Sequence, residues 1–312
     1  MEMQPFEHER RPSQRTITPL STPAALGGMG LLRFPYHQDE LRNLVRNALD
    51  EDEAFNDLTT IATVVSDRHA RGQLVSRAEG VLCGVPLAVE AFRQLDDKVT
   101  IRVDHEDGAR LAPGDSVLYL SGHARALLAA ERVALNFMQR LSGIATLTAK
   151  FVDAVKGTRA KILDTRKTTP GWRRLEKYAV RAGGGVNHRL DLARAVLIKD
   201  NHLKAVDGDV AVAVRRVREL APPGAKIEVE CDSLEQVRAA IDAGADEVLV
   251  DNMPTDMIRE AVVLARGKAC VEASGGVTLD TVRAIAETGV DYISVGALTH
   301  SPPAMNLALD FD

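Results

Sequence analysis

The sequence predicts an α/β protein whose carboxyl-terminal half is a repeat of strands and helices that builds a parallel sheet. Beyond residue 160, short β-rich runs alternate with helical stretches, and several of these helices end at glycine. Before residue 125, strand-like and helix-like segments follow one another without that alternation, which is typical of an α+β module. A chain of 312 residues is long enough for one large domain or two of ordinary size.

Composition and charge exclude several classes of protein. The charged fraction of 27% and the hydrophobic fraction of 45% are ordinary for a globular protein. The net charge of -5 argues against a general nucleic-acid-binding protein, because such proteins usually carry a basic excess. No apolar run reaches the ~20 residues that a membrane span needs, and no secretory signal is recognisable. Three widely spaced cysteines indicate buried thiols in a reducing compartment, so we expect a cytoplasmic protein. From the charge and the missing apolar run we expect neither nucleic-acid nor membrane partners.

The amino-terminal module is expected to begin near Tyr36. Residues 1–35 are rich in Pro, Gly, Ser and Thr, and we expect them to be a flexible leader. HQDELRNLVRNALDEDEA has apolar residues at helical spacing. We interpret DLTTIATVVSD and RGQLVSRAEGVLCG as extended segments around a turn, VPLAVEAFRQLD as a helix, and VTIRVDHEDG and DSVLYLSGHA as strands.

A long helical pattern, ARALLAAERVALNFMQRLSGIATLTAKFVDAV, follows this module. We expect it to be interrupted at Ser142-Gly143 and to join two domains. The strand runs after it are KILDT, AVLIK, KIEVE, EVLVD, ACVEA and YISVG. Their alternation with helices predicts a parallel sheet, closed or nearly closed as a barrel. We expect residues 172–194 either to contain a further strand or to leave the barrel open.

Charged residues and glycines end nearly every strand of this repeat. In βα barrels the chemistry takes place at the C-terminal ends of the strands, so these residues predict an active site. The strand ends and the residues just after them are Arg166, Lys167, Lys199, Asp200, Glu230, Asp251, Glu272 with the turn Ser274-Gly275-Gly276, and Gly296.

Arg166 and Lys167 predict a pocket for an anion. Adjacent cations repel unless a carboxylate or phosphate lies between them, although a solvated loop explains the spacing equally well. Arg173, Arg174 and Lys177 follow in WRRLEKYAV, and we interpret them as an exposed helix face.

Two further basic segments belong to the predicted pocket. RAGGGVNHRLDL places His188 and Arg189 beside a glycine run that allows a close backbone approach to a ligand. IKDNHL places Lys199 directly after a strand. A Schiff-base lysine would occupy a similar position, so this motif alone does not decide the chemistry.

Acidic residues and glycine turns complete the predicted rim. Glu230 and Asp251 end consecutive strands, with Glu272 on the next, and could hold a divalent cation, ribose hydroxyls or a developing positive charge. ASGGVTLDTV joins a glycine turn to a helix that Thr278 is expected to cap, and SVGALTHS repeats the arrangement. Such turns on the last strands of a barrel commonly bind phosphate. The combination predicts a polycarboxylate acid and a phosphorylated, Mg-bound sugar as substrates.

The chain resembles the quinolinate phosphoribosyltransferases. The motifs that carry the resemblance are AERVALNFMQRLSGIAT, LDTRKTTPGWRRLEKYAVRAGGGVNHRLDL, LIKDNHL, IEVEC, VLVDNM, EASGGV and ISVGALTHS, in this order over residues 37–312. The resemblance implies transfer of phosphoribosyl from 5-phosphoribosyl diphosphate to quinolinate. The products would be nicotinate mononucleotide for NAD biosynthesis, CO2 and pyrophosphate.

The resemblance also implies a domain organisation. Residues 36–141 would form an open α/β sandwich domain, and residues 142–300 an incomplete α/β barrel of seven strands. The tail at 301–312 would return to the sandwich. The functional unit would be a homodimer.

Roles for individual residues follow from the same resemblance. Four basic residues would bind the quinolinate carboxylates: Arg166, His188, Arg189 and Lys199. Arg132 would reach into the quinolinate site of the partner subunit. Lys167, Glu230 and Asp251 would be catalytic and contact the phosphoribosyl diphosphate, and the two acids would hold Mg2+, the expected cofactor. The 5-phosphate would be held by Ser274, Gly275, Gly276, Gly296 and His300.

Three alternatives stay open on the sequence alone. A paralogue, such as the molybdenum-transport-associated relatives of this family, would transfer phosphoribosyl to another acceptor. A barrel lyase would form a Schiff base through Lys199 and would be trapped by borohydride. A non-enzymatic scaffold would require neither 5-phosphoribosyl diphosphate nor Mg2+.

Overall fold

The computed structural model of the protein describes residues 32–193, 195–222 and 224–311. Most of the expected leader, through position 31, therefore lies outside the described residues. Within the described residues, no helix is both long enough and apolar enough to cross a lipid bilayer. The mixed α/β architecture is confirmed, with a four-stranded antiparallel sheet, a six-stranded parallel sheet and a two-stranded ribbon.

The amino-terminal module contains short helices and the antiparallel strands. Helix α1 (Gln38–Glu51) buries Leu41, Val45 and Leu49 along one face, as its apolar spacing predicts. A 3-10 turn at Ala54–Asn56 follows it. The remaining elements are α2 (Leu58–Thr63), β1 (His69–Ser76), β2 (Gly80–Val81), α3 (Val85–Leu95), β3 (Thr100–Val103), β4 (Arg110–Leu111) and β5 (Ser116–His123).

The interpretation of DLTTIATVVSD as an extended segment is wrong. Its β-branched residues suggested a strand, but Asp57 accepts the backbone N–H of Thr60 at 3.0 Å and caps helix α2. Such a cap satisfies a free amide of the first turn, and here it outweighs the weak strand propensity.

The carboxyl-terminal tail completes the antiparallel sheet. Its strand β12 (Leu307–Phe311) pairs with β1, from Gly72 opposite Phe311 to Ser76 opposite Leu307. The sheet order is therefore β12-β1-β5-β3, and the last strand of the chain lies at its edge.

Helix α4 (Ala124–Ala154) is continuous, so the expected interruption at Ser142-Gly143 is wrong. The buried Ser142 hydroxyl accepts the backbone N–H of Cys83 at 2.8 Å, which joins the helix to the amino-terminal module. A Cβ atom on Gly143 would lie 2.1 Å from the carbonyl oxygen of Pro303. The glycine therefore lets the tail pass against the helix and does not end it.

The second half alternates strands and helices as the sequence predicts. Its elements are β6 (Lys161–Leu163), α5 (Arg173–Ala182), β7 (Val196–Ile198), α6 (Asp200–Lys204), α7 (Val210–Leu220), β8 (Ile227–Cys231), α8 (Leu234–Asp242), β9 (Glu247–Asp251), α9 (Thr255–Ala265), β10 (Cys270–Ser274), α10 (Val282–Ala286), β11 (Tyr292–Ser294) and α11 (Ala297–His300). All six predicted strand runs are confirmed.

The six strands form one parallel sheet in the order β6-β11-β10-β9-β8-β7. Val186, inside the segment suspected of containing a further strand, makes a single parallel bridge with Leu163. Among the described residues the parallel sheet thus has six strands with one further bridge beside it, and the seventh strand stays a prediction. Because all pairings are parallel, the C-terminal ends of the six strands lie along the same edge.

Candidate active site

Lys167, Gly296 and His300 lie together where β6 and β11 end. A Cβ atom on Gly296 would lie 3.1 Å from Lys167 Cδ and 3.2 Å from His300 Nε2, so a larger residue would have to displace these side chains. The Thr299 hydroxyl donates to the Lys167 carbonyl oxygen at 2.7 Å and ties α11 to the loop after β6. A lysine, a histidine and a glycine turn in contact form a suitable site for a phosphate group.

The Ser-Gly-Gly turn after β10 packs against the end of β9. Gly275 has a φ of 92°, and a Cβ atom there would lie 2.3 Å from Asn252 Oδ1. The Asn252 amide side chain donates to Asp251 at 3.0 Å, and its backbone N–H donates to the Ser274 carbonyl at 2.9 Å. Gly276 also has a positive φ, of 57°. Asp251 is thereby fixed beside the glycine turn.

The expectation that Thr278 caps a helix is wrong. Its backbone N–H donates to the Thr281 hydroxyl at 3.0 Å within a turn, and α10 begins only at Val282. That helix is five residues long. Any phosphate binding at this turn would therefore depend on the glycine backbone rather than on a helix terminus.

Glu230 and Lys199 form an ion pair across neighbouring strands. The Lys199 Nζ lies 2.7 Å from Glu230 Oε2, and the two side chains are 47% and 15% exposed. A Schiff-base lysine is usually activated by desolvation or by a neighbouring cation, whereas this amine is half-exposed and paired with a carboxylate. Asp251, the last residue of β9, is half-buried on the adjacent strand.

Glu272 does not lie at the rim, where the sequence placed it. It stands inside β10 with 1% exposure, and Glu228 on β8 is 4% exposed. Burial, reinforced by the charge of Glu228, raises the pKa of Glu272 well above its ordinary value. Ligand atoms of these two acids and of His188 all lie within 4.8 Å of one another.

The basic residues predicted to bind quinolinate differ in their partners. Arg166 has a buried Nε without a hydrogen-bond partner among the described residues. Arg189 donates to the Ala195 carbonyl oxygen at 3.2 Å, and its pKa is lowered by burial and then by the charge of Arg166. His188 Nε2 lies 3.1 Å from Glu228 Oε2. The charge of Arg166 acts on Arg189, which indicates that the two segments lie near each other.

Lys177 is buried, which contradicts its interpretation as part of an exposed helix face. Its side chain is 4% exposed and forms an ion pair with Asp164, whose side chain is fully buried. Burial lowers the pKa of Lys177 and raises the pKa of Asp164, because it disfavours both charges. Asp164 also accepts from the Asn187 amide at 2.6 Å and the His188 backbone N–H at 2.9 Å. The pair thus fixes the segment that carries the predicted ligands.

The two arginines before Lys177 are half-buried rather than fully exposed. Arg173 donates from Nε to the Thr168 hydroxyl at 3.0 Å and thereby braces the loop after β6. Arg174 pairs with Glu40 at 2.8 Å and lies 4.0 Å from the centre of the Tyr36 ring. Arg174 therefore holds the start of the described chain against α5.

A buried glutamate fixes the loop that carries Arg166 and Lys167. Glu176 on α5 is fully buried and accepts the Thr169 backbone N–H at 3.0 Å and its hydroxyl at 2.9 Å. Arg140 on α4 lies 2.9 Å from the same carboxylate and also donates to the Thr299 carbonyl oxygen at 2.6 Å. One ion pair therefore joins the long helix, the basic loop and α11.

Arg132 stands apart from the other predicted site residues. It lies on α4 with its side chain 58% exposed, and its nearest acid is Glu131 at 3.9 Å. The structure thus places the predicted strand-end residues along one sheet edge, whereas Arg132 lies on α4 with an exposed side chain.

The buried acids Asp164 and Glu228, beneath the strand ends, were not identified from the sequence. Asp164 directly follows β6, and Glu228 alternates with Glu230 in IEVEC, which places both glutamates on one face of β8. Acids inside a parallel strand depart from its usual apolar run, and that departure was the available signal.

Comparison with known proteins agrees with this geometry. Residues 57–142 match the N-terminal domain of quinolinate phosphoribosyl transferase and residues 144–310 match its C-terminal domain. The chain is 48% identical over 280 residues to the nicotinate-nucleotide pyrophosphorylase [carboxylating] of Mycobacterium leprae, covering 87% of this chain and 97% of that protein. It is 43% identical over 271 residues to a probable enzyme of the same name from Bacillus subtilis, covering 87% and 93%.

Solved structures give the same result. The structure of the nicotinate-nucleotide pyrophosphorylase from Francisella tularensis superposes with a TM-score of 0.83 at 40% identity, covering 90% of this chain and 99% of that one. Matches to both domains in their order along the chain, together with these identities, establish the relationship. The chain belongs to the quinolinate phosphoribosyltransferase family.

Proposed function

We propose that the protein transfers phosphoribosyl from 5-phosphoribosyl diphosphate to the nitrogen of quinolinate and forms nicotinate mononucleotide, CO2 and pyrophosphate for NAD biosynthesis. Membership of the family supports this reaction. The observation that carries the proposal is the sorting of charges along one sheet edge. Basic groups follow β6 and β7, acids stand at the ends of β8 and β9, and glycine turns follow β10 and β11.

The basic groups would bind the acceptor. Quinolinate carries two carboxylates, and Arg166 offers one of them a buried Nε–H that has no partner in the part of the chain that the structure describes. Arg189 lies close enough to Arg166 for the positive charge of Arg166 to lower its pKa. Lys199 would exchange its pairing with Glu230 for a carboxylate of the acceptor. A dianion would therefore relieve repulsion among cations that the fold has already brought together.

The glycine turns would bind the phosphoribosyl donor. Lys167, Gly296 and His300 would contact its phosphates at one end of the sheet edge, and Ser274, Gly275 and Gly276 would add their backbone N–H groups. Donor and acceptor would then be held in register, which supplies much of the rate acceleration of a two-substrate reaction.

Glu230 and Asp251 would stabilise the reacting sugar carbon. Breaking its bond to pyrophosphate leaves oxocarbenium character, which preorganised carboxylates on neighbouring strands favour. Their oxygens, half-buried at the strand ends, also suit the hard cation Mg2+, which commonly binds through one or two carboxylates together with substrate phosphates. When bound, Mg2+ would neutralise charge on the departing pyrophosphate.

Decarboxylation needs no organic cofactor in this scheme. The ring nitrogen becomes cationic when it bonds to the sugar carbon. The 2-carboxylate then leaves as CO2, and its bonding electron pair stays on the ring carbon, stabilised by the adjacent positive nitrogen until a proton adds. The protein's task is to hold the dianion and the donor together.

Several finer features belong to the proposal. The barrel would have seven strands, with the segment around Val186 as the seventh, since its bridge to Leu163 is parallel. Arg132 would serve the active site of the partner subunit in a homodimer, since it lies on α4 and its side chain is exposed. We also propose a cytoplasmic location, because the three cysteines are free thiols.

A substrate screen of the wild-type protein and the kinetics of two variants test the proposal. Wild-type protein should form the mononucleotide from quinolinate and not from nicotinate, whereas a paralogue would accept another acid. Arg166→Ala should raise the KM for quinolinate at least about tenfold, since charged hydrogen bonds are worth roughly 1.5–3 kcal/mol. Arg283→Ala, which removes an exposed arginine paired with Glu287, is the matched control. Equal kinetics in both variants would contradict the role of Arg166.

A further inference from the structure

A pair of buried acids lies one layer below the strand ends of the proposed site. Glu228 and Glu272 stand two residues before Glu230 and Ser274, and therefore on the same faces of their strands. They are 4% and 1% exposed. Among the described residues, one oxygen of each carboxylate is buried without a hydrogen-bond partner. Buried polar atoms are nearly always satisfied, so this pair requires an explanation.

Both acids converge on the imidazole of His188. Its Nε2 lies 3.1 Å from Glu228 Oε2 and 3.7 Å from Glu272 Oε2. The other ring nitrogen, Nδ1, accepts the backbone N–H of Arg189 at 2.7 Å and is therefore unprotonated. The ring hydrogen consequently resides on Nε2 and points toward Glu228. The contacts thus select one tautomer of His188.

The main chain of His188 is held as firmly as its ring. Its N–H donates to Asp164 at 2.9 Å, and its carbonyl oxygen accepts from Lys177 at 3.1 Å. Two ring nitrogens and two backbone groups all have protein partners. In this conformation His188 has no N–H to offer to a carboxylate of a substrate, so its effect on binding must pass through its neighbour Arg189.

Arg189 is the group that this arrangement orients. Its backbone N–H is bound to the His188 ring, and its guanidinium lies within the electrostatic reach of both Arg166 and Glu228. Two guanidinium groups repel, and the Glu228 carboxylate opposes that repulsion. An acid in this place therefore holds the histidine ring and also allows two arginines to converge.

We propose that Glu228 and Glu272 are positioning residues that lock His188 and thereby aim Arg189 at a carboxylate of the acceptor. The identity of that acceptor rests on the proposed function. A metal ion is the competing occupant, because the three side chains have suitable ligand atoms within 4.8 Å. A metal would need a lone pair on Nε2, where the hydrogen-bond pattern places a hydrogen.

The tautomer of His188 tests the positioning without any substrate. Nitrogen-15 spectra of the imidazoles, assigned with His188→Gln, should show an unprotonated Nδ1 and a protonated Nε2 in wild-type protein. Glu228→Gln keeps an acceptor and should keep the hydrogen bond of the Nε2–H, whereas Glu228→Leu should lose that hydrogen bond and shift the Nε2 resonance. A wild-type ring protonated on Nδ1 would overturn the proposal, and so would zinc bound through Nε2.

Binding measurements then connect the lock to the acceptor. Glu228→Leu should raise the Kd for quinolinate about tenfold or more, since a lost charged hydrogen bond accounts for such a factor. Glu228→Gln, which keeps an acceptor for His188 but removes the charge that faces the two arginines, should raise the Kd less than Glu228→Leu does. The Kd for 5-phosphoribosyl diphosphate should be unchanged in both. Glu247→Leu is the matched control, because Glu247 is the register neighbour of Glu228 but pairs with Lys226.

The outcomes separate the two proposals. Equal quinolinate affinity in wild-type and Glu228→Leu protein overturns the positioning role. A wild-type protein that shows the expected tautomer but binds no quinolinate contradicts the proposed function and leaves the lock on His188 supported. Because the tautomer is read on wild-type protein, the test stands even where Glu228→Leu fails to fold.

Discussion

Removing Lys177 should destabilise the protein by about 3 kcal/mol, toward the lower end of the 3–5 kcal/mol typical of a broken buried ion pair. The Lys177 and Asp164 side chains are 4% and 0% exposed, so solvent cannot replace the lost partner. In Lys177→Met the Asp164 carboxylate keeps two donors, the Asn187 amide and the His188 backbone N–H. These remaining hydrogen bonds place the expected value at the lower end.

Urea unfolding followed by circular dichroism measures this change, provided that the transition is two-state. The double variant Lys177→Met with Asp164→Asn should lose about 2 kcal/mol less unfolding free energy than the two single variants lose together. The reason is that the double variant has no unpaired buried charge. Lys156→Ala removes one partner of the Lys156–Asp153 pair, in which the lysine is 71% exposed, and should change stability by less than about 0.5 kcal/mol.

A stability of Lys177→Met within about 0.5 kcal/mol of wild type would refute the reasoning, because that is the effect of a surface pair. Loss of the Lys177 contact should also loosen the His188 carbonyl oxygen, which it holds at 3.1 Å. We therefore expect a higher quinolinate KM in the folded variant, measured below its unfolding temperature.

Three further predictions concern other parts of the molecule. The pKa of Glu272 is raised by burial and by the charge of Glu228, so its contribution to stability is full below its unfolded-state pKa and is lost as pH rises through the folded-state value. Glu272→Gln should therefore flatten the decline of Tm with rising pH, and parallel Tm profiles of the variant and the wild type would contradict this. Gly143→Ala should destabilise the fold by about 1–3 kcal/mol, because the added Cβ would lie 2.1 Å from the Pro303 carbonyl oxygen. Urea unfolding measures this change, and an unchanged midpoint would refute the contact. Burial raises the pKa of Cys231 to about 12, so a thiol reagent at neutral pH should not modify this cysteine in the native protein but should modify it in the denatured protein. Rapid modification of the native protein at Cys231 would be inconsistent with its burial.

The sequence predicts the periodic elements of the fold well. Each of the six strand runs after residue 160 has an apolar core and a helix beyond it, so local pattern and tertiary packing agree. The pattern fails where a single tertiary contact decides. Ser142-Gly143 resembles a helix break, but Gly143 is small because Pro303, far along the chain, lies against it. Such a contact leaves no local signal.

The site shows the same division. The position of residues such as Arg166 and Asp251 along one sheet edge could be predicted, because parallel strands bring their ends together. Lys177 could not, because a lysine on an amphipathic helix is usually exposed, and only its pairing with Asp164 accounts for its burial. Glu272 was placed at the rim because strand limits are uncertain by a residue or two, and that shift separates an exposed acid from a buried one.

The most direct test follows one labelled atom through the reaction. Purified protein is given quinolinate carrying carbon-14 in its 2-carboxylate, together with Mg2+, with and without 5-phosphoribosyl diphosphate. The account predicts labelled CO2 only when the donor is present, in equal amount to the nicotinate mononucleotide and pyrophosphate formed. Labelled CO2 released without the donor, or no mononucleotide with all components present, would contradict it.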